Sequence, residues 1–233
     1  MKIAIMNFSG NVGKSTIAKH LLLPRMKGAE LISVETINAD ENDGESVKGR
    51  EFGALSEQLM LTDEAVIDVG SSNVEEFIRL MDQYKGSHED VDIFLIPVVK
   101  DSKQMRDSIS TIRTLTAMGV EPTRIRVVFN MVETDDVLED VFWPMYDFQR
   151  DTKSFRLRDK AAIHYSELYQ RLRTIGVGMA ELLDDKTDLK AKLRECQDMA
   201  EKQDIVARIS ARRLAASASQ NLDDVFTSVT ASK

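Results

Sequence analysis

One cysteine, four prolines and one tryptophan in 233 residues exclude several kinds of protein. Cys196 by itself makes no internal disulfide and no thiol-metal cluster, so the chain is expected to fold on an apolar core in a reducing cytoplasm. On a helix it reads simply as a small apolar residue. The three histidines, His20, His88 and His164, lie far apart with no second ligand at metal spacing. No Ser/His/Asp or Cys/His arrangement is suggested either. No apolar run approaches the ~20 residues that span a bilayer, and Met1-Lys2 leads straight into an apolar run, so no signal peptide is expected. With 39 Asp and Glu against 31 Lys and Arg, the net charge of −8 argues against a surface coated with basic residues, while leaving room for a local basic patch.

What the chain does have stands at its start. The apolar run Ile3-Ala4-Ile5-Met6 is followed at residues 9–16 by Ser-Gly-Asn-Val-Gly-Lys-Ser-Thr, then by the helix-like Ile17-Ala18-Lys19-His20-Leu21-Leu22. A glycine-bearing turn between a strand and a helix lets successive backbone N–H groups converge on an anion, with the positive end of the helix dipole behind them. Gly10, Asn11, Val12, Gly13, Lys14, Ser15 and Thr16 therefore form a candidate phosphate loop, in which Lys14 would neutralise phosphate charge and Ser15 would place its hydroxyl on Mg²⁺. The commonest such pattern, GxxxxGK[ST], is not met, because position 8 is Phe8. Asn11 is a tolerable substitute for glycine, being a residue that visits positive φ.

Downstream, apolar runs alternate with helix-period segments, the pattern of a mostly parallel α/β sheet flanked by helices. Strands are expected near 2–8, 30–36, 64–69, 92–99 and 124–130, and helices near 14–23, 50–60, 73–84, 102–118 and 160–174. Ligands in such sheets sit beyond the carboxyl ends of the strands. Three ends carry suitable chemistry. Asp68, followed by Gly70, closes an apolar strand and is the candidate second Mg²⁺ residue. Glu35 and Asp40 follow the second strand, and either could orient water or be a solvated loop carboxylate. Asn130 closes Arg126-Val127-Val128-Phe129, as a base-recognising residue or as an ordinary turn-former.

These segments together resemble the ParA/MinD-type deviant Walker A ATPases, whose loop is written KGGxGK[ST]. Gly10, Gly13, Lys14 and Ser15 match it, Asn11 stands for a glycine, and Ser9 stands where the family carries a lysine that reaches across a dimer to the partner's nucleotide. The resemblance implies a P-loop NTPase fold over about residues 1–135, ATP or ADP with Mg²⁺ as cofactors, Lys14 and Asp40 as catalytic residues, Ser15 and Asp68 at the metal, and Asn130 on the adenine edge. It also implies a homodimer. Without a charge at position 9, hydrolysis is expected to be slow. The opening residues 1–16, with Leu23-Pro24-Arg25-Met26, resemble plasmid stability and conjugation proteins within that family, which implies a bacterial, plasmid-encoded ATPase with a small DNA-binding partner from the same operon. Alternatives are a nucleotide-dependent scaffold with little hydrolysis and a small-molecule ligase or kinase of the same fold.

The rest of the chain carries weaker signals. An acidic stretch at Glu133, Asp135, Asp136, Glu139 and Asp140 reads as a solvated loop, and the aromatics Phe142, Trp143, Tyr146 and Phe148 as a packed edge or interface. Over 150–173 seven cations outnumber three carboxylates, a local basic face for DNA phosphates or for an acidic partner. The nucleotide-binding domain is therefore placed at 1–175. Residues 176–216 form a helical extension of it, with one or two helices that pack on the sheet or pair between subunits. Residues 217–233 are expected to be a flexible tail lacking the basic amphipathic helix of a membrane anchor.

Overall fold

The computed structural model describes residues 1–34 and 45–231, so Glu35 and Asp40 lie outside the described residues. Six strands form one all-parallel sheet in the order β2-β3-β1-β4-β5-β6: β1 Lys2–Ile5, β2 Glu30–Val34, β3 Ala65–Val69, β4 Ile93–Val98, β5 Ile125–Val132 and β6 Ala162–His164. Every residue of β3 and β4 is buried, as strands covered on both faces require.

Helices cover both faces. On one side α2 (Glu45–Leu61), α3 (Val74–Gln83) and α4 (Ser102–Ala117) bury Phe52, Phe77 and Ile112 against Ala4, Ile67 and Ile96. α5 (Leu138–Val141) and α6 (Trp143–Thr152) close that layer through Phe142 and Met145. On the other side α1 (Lys14–Ile17), extended by a π-helical turn at Ala18–Leu22, packs with α7 (Leu168–Ile175), α8 (Met179–Asp184) and α10 (Met199–Thr230), burying Ile3, Ile5 and Val128. α9 (Leu189–Glu195) lies against α10.

A proline in a central strand usually removes a ladder bond. Here its position explains where β1 ends. Leu95 on β4 accepts the Met6 amide at 3.2 Å, so Pro97, two residues on, also faces β1. By then β1 has turned away, no N–H is needed, and the Pro97 carbonyl accepts the Asn7 side chain instead at 2.8 Å. The loop at residues 9–16 thus begins where the β1–β4 ladder is cut.

Three expectations are corrected. The helix expected over 160–174 is β6 followed by α7, because the apolar run Ala161-Ala162-Ile163 extends the sheet alongside β5. The acidic stretch is not all loop, since Glu139 and Asp140 lie on α5; the aromatics after it form a packed edge, with Phe142 fully buried ahead of α6, Pro144 in the first turn of that helix and Trp143 60% exposed. The supposed flexible tail is helix: α10 runs to Thr230 and buries Leu222, Val225 and Val229. It is held by polar contacts that a search for apolar stripes does not see. Asn221 donates to Ala162 O at 2.9 Å and accepts the His164 amide at 3.1 Å, occupying the open edge of β6. Arg126 donates to the Val229 and Ala231 carbonyls and Arg158 to Ser228 O at 3.2 Å, placing cations on the negative end of the helix. None of the described helices is long and apolar enough to cross a membrane.

If α10 is part of the core, Leu222→Ala should cost about 2–5 kcal/mol of unfolding free energy in a denaturant titration. A loss below about 0.5 kcal/mol would mean that the last turns of α10 are not packed.

Candidate functional site

The carboxyl edge of the sheet gathers the residues singled out above. After β1 the chain passes through Asn11 at φ 57° and Gly13 at φ 89°, two left-handed positions that fold the backbone back before α1 begins with the Ile17 amide on Gly13 O at 2.9 Å. The first amides of a helix have no intrahelical acceptor. Those of Val12 to Thr16 donate to no other group among the described residues, so a row of N–H donors stands open at a positive helix end.

The loop is held from two sides. One face of α4 presents Gln104, Asp107, Ser108 and Thr111, spaced to meet a single strip of chain. Gln104 donates to Gly10 O at 2.9 Å and Asp107 accepts the Ser9 hydroxyl at 2.9 Å. Ser108 accepts Asn7 Nδ2 at 2.7 Å, and Thr111 accepts the Phe8 amide at 3.1 Å. Asp101 begins that helix by accepting the amides of Lys103 and Gln104. From the other side, Asn130 at the end of β5 donates to Val12 O at 2.9 Å.

Lys14 and Asp68 supply the charges. Lys14 is buried, with Nζ donating to Ser9 O at 2.8 Å and Asn7 O at 3.3 Å. Burial pushes its pKa below the ordinary lysine value, and the negative charge of Asp68 opposes that shift. Asp68 is itself 6% exposed, and its Oδ1 is buried without a hydrogen-bond partner. A carboxylate oxygen removed from water and left unpaired is costly, so the position favours a hydrogen-bond donor or a cation. Ser15 is exposed on the first turn of α1.

Beside the loop lies a cavity of about 170 Å³, walled by Thr16, His20, Asn130, Tyr165, Tyr169 and Arg173. The rings of His20 and Tyr169 meet at 5.5 Å. Burial, followed by the charge of Lys19, lowers the His20 pKa, and burial pushes the Tyr169 hydroxyl up to about 12, so both are neutral near pH 7. Sequence reasoning missed this wall. Its one available signal was that β6, like its neighbours, ends in polar residues at the ligand edge, and that signal was lost with β6 itself.

Of the expected site residues, Gly10 through Thr16, Asp68 and Asn130 come together, while Asp40 and its alternative Glu35 are outside the described residues. Ser9 is inward and spent on Asp107. Among nearby cations, Lys100 pairs with Asp136 at 3.1 Å, and Lys103 and Arg106 are exposed on α4.

No protein-family model matches the chain, and no curated protein matches it. Solved structures do. Nucleotide-free McdA of Cyanothece aligns with a TM-score of 0.52 and 14% identity over 90% of this chain and 98% of that one. A variant of Cyanothece McdA in complex with ATP aligns with a TM-score of 0.50 and 14% identity over 92% and 97%. The fold is that of McdA. At this identity the likeness concerns architecture, and the chemistry rests on the residues described above.

The two glycines of the loop should respond differently to a methyl group. At Gly13 a Cβ would stand 2.2 Å from Asn130 Nδ2 in a left-handed backbone, whereas at Gly10 it would meet only Ser71 Oγ, at 3.4 Å. Gly13→Ala should therefore cost about 2 kcal/mol or more, and Gly10→Ala less than about 1 kcal/mol, in denaturant unfolding. Equal costs would contradict the close approach of Asn130.

Proposed function

We propose that this chain is a ParA-like nucleotide-binding protein, a slow Mg²⁺-dependent ATPase that works as a switch. The observation that carries the reading is the pairing of the open row of loop amides with the unpartnered, buried Asp68 oxygen and the desolvated Lys14. An anion completes the first and third, and a cation the second. A nucleotide triphosphate with Mg²⁺ supplies both. The loop from Gly10 to Thr16 would take the phosphates, with Lys14 neutralising them, and the cavity beside Asn130 would take the base. Ser15 and Asp68 would hold Mg²⁺, which contributes charge neutralisation at the phosphates when bound. Asp40 is retained as the residue that orients the attacking water. The fold shared with McdA, which is known in an ATP complex, supports the same reading.

The biological setting follows from the sequence of the opening segment, which is similar to that of StbB, a ParA-like protein of plasmid stability and conjugation. On this reading the chain is a bacterial, plasmid-encoded homodimer acting with a DNA-binding protein from its own operon. Its segment 150–173 meets DNA or an acidic partner through Lys153 and Lys160, since Arg150 pairs with Asp147, Arg171 pairs with Glu167, Arg158 caps α10, Arg156 has a partner of its own and Arg173 belongs to the cavity wall. A nucleotide-dependent scaffold is the second reading, favoured by Ser9: its hydroxyl is committed to Asp107, and no lysine stands there to stabilise charge during phosphoryl transfer.

Calorimetric titration with ATP, with and without Mg²⁺, tests the first reading. Lys14→Ala should abolish binding in a folded protein, and Asp68→Ala should weaken binding about tenfold or more with Mg²⁺ and little without it. Unchanged affinity in a folded Lys14→Ala protein would remove the phosphate-loop reading, and equal losses for Asp68→Ala under both conditions would make that residue structural. For the basic segment, direct DNA contact predicts affinity that falls steeply with salt, and Lys153→Ala with Lys160→Ala should flatten the slope by about two. An unchanged slope would assign the segment to a protein partner.

A further inference from the structure

Asn130 is bound to the loop by geometry that a base-reading residue does not need. β5 pairs with β6 in a register that matches Phe129 with Ala162 and Val132 with His164, so β5 spends one residue more than its neighbour over this interval. The extra residue makes a bulge, and Met131 within it is left-handed at φ 58°. A non-glycine residue in that region costs on the order of 1 kcal/mol or more, so the surrounding structure must repay it. Alternation puts Asn130 on the same face as Val128, toward α1. Unbroken, it would carry residue 132 onto that face as well. The bulge instead returns Val132 to the opposite core with Phe129, so the β5 face ends at Asn130, above the loop and beside the cavity.

The contact itself is tight. Asn130 is 6% exposed, its Nδ2 donates to Val12 O at 2.9 Å, and only the missing Cβ of Gly13 allows the approach. A carbonyl only accepts, so the amide nitrogen must face Val12, and one of its two N–H donors is spent there. In a trans peptide the Val12 carbonyl and the Gly13 N–H point in opposite directions across one plane. Pinning the oxygen on β5 therefore aims the Gly13 N–H away from β5, into the mouth of the loop.

We infer that Asn130 is a positioning residue for the phosphate loop: through Val12 O it sets the Gly13 amide for the anion, and its contribution to affinity reaches the phosphates rather than the base. The inference rests on the nucleotide reading above and adds to it. Titrations of the full chain with MgATP and with Mg²⁺ and inorganic tripolyphosphate, which has no base, separate the two roles. Asn130→Ala, and Asn130→Leu, which keeps the bulk but has no donor, should each weaken both ligands by a similar factor of about ten. In the ligand-free protein, both substitutions should change the residual dipolar coupling of the Gly13 N–H, which reads the orientation of that bond, while the couplings of the β1 amides stay as they are and thermal unfolding shows the fold intact. Loss of ATP affinity with tripolyphosphate affinity unchanged would overturn the inference in favour of base reading. So would an unchanged Gly13 coupling. If the unaltered chain bound neither ligand, the nucleotide reading would fail, and the Gly13 coupling in the ligand-free variants would still decide the role of Asn130.

Discussion

Backbone N–H groups that converge on one point repel each other and gain nothing until an anion arrives, so a loop of this kind must be held by something other than its ligand. Here the hold is a set of hydrogen bonds from two neighbouring elements. α4 takes the carbonyl of Gly10, the hydroxyl of Ser9, the side chain of Asn7 and the amide of Phe8, and β5 takes the carbonyl of Val12 through Asn130. Each bond contributes on the order of 1 kcal/mol. Together they leave the amides of Val12 to Thr16 without a partner among the described residues. The rest of the fold serves this arrangement: Pro97 ends the β1–β4 ladder where the loop must depart, and the strand order places β4 and β5 so that both clamps come from one side of β1.

The clamp also shapes the chemistry. With Lys14 drawn in against the carbonyls of Asn7 and Ser9, the loop carries a desolvated cation beside an unpaired carboxylate oxygen. Both are unfavourable, and a phosphate chain with its metal relieves both. Position 9 is the counterpart of this economy. A serine bonded to Asp107 strengthens the hold of α4 on the loop, while a lysine there would have to leave that contact to reach anything outside. The departure from the KGGxGK[ST] pattern therefore exchanges a mobile charge for a fixed hydrogen bond.

How much of this was legible in the sequence depended on the length of the signal. β3, β4 and β5 are mainly apolar runs of five, six and eight residues, and β1, though short, is marked by the glycine-bearing loop after it, so Gly13-Lys14-Ser15, Asp68 and Asn130 follow from their ends. β6 is three residues long and sits beside a helical period, so periodicity assigned it to the helix. The tail failed for a different reason. Leu222, Val225 and Val229 are sparse among polar residues, and what docks them is Asn221 on a strand edge and two arginines on helix carbonyls. The clamp residues Gln104, Asp107, Ser108 and Thr111 belong to no motif. Their meaning depends on which strand tip lies opposite, information that exists only once the sheet is assembled.

The central claim is that the shape of the loop is set by α4 and Asn130 and not by its ligand. Amide chemical shifts of the full chain, recorded with and without MgATP, test it directly. The account predicts large shifts confined to residues 10–16, Asp68 and its chain neighbours, the Asn130 side-chain amide and the cavity wall at 164–173, while the amides of Asn7 and those of α4 from Gln104 to Thr111 stay where they are. Shifts spread through α4, with Asn7 moving as far as Gly13, would mean that the nucleotide builds the loop and would contradict the account. So would a spectrum that MgATP leaves unchanged.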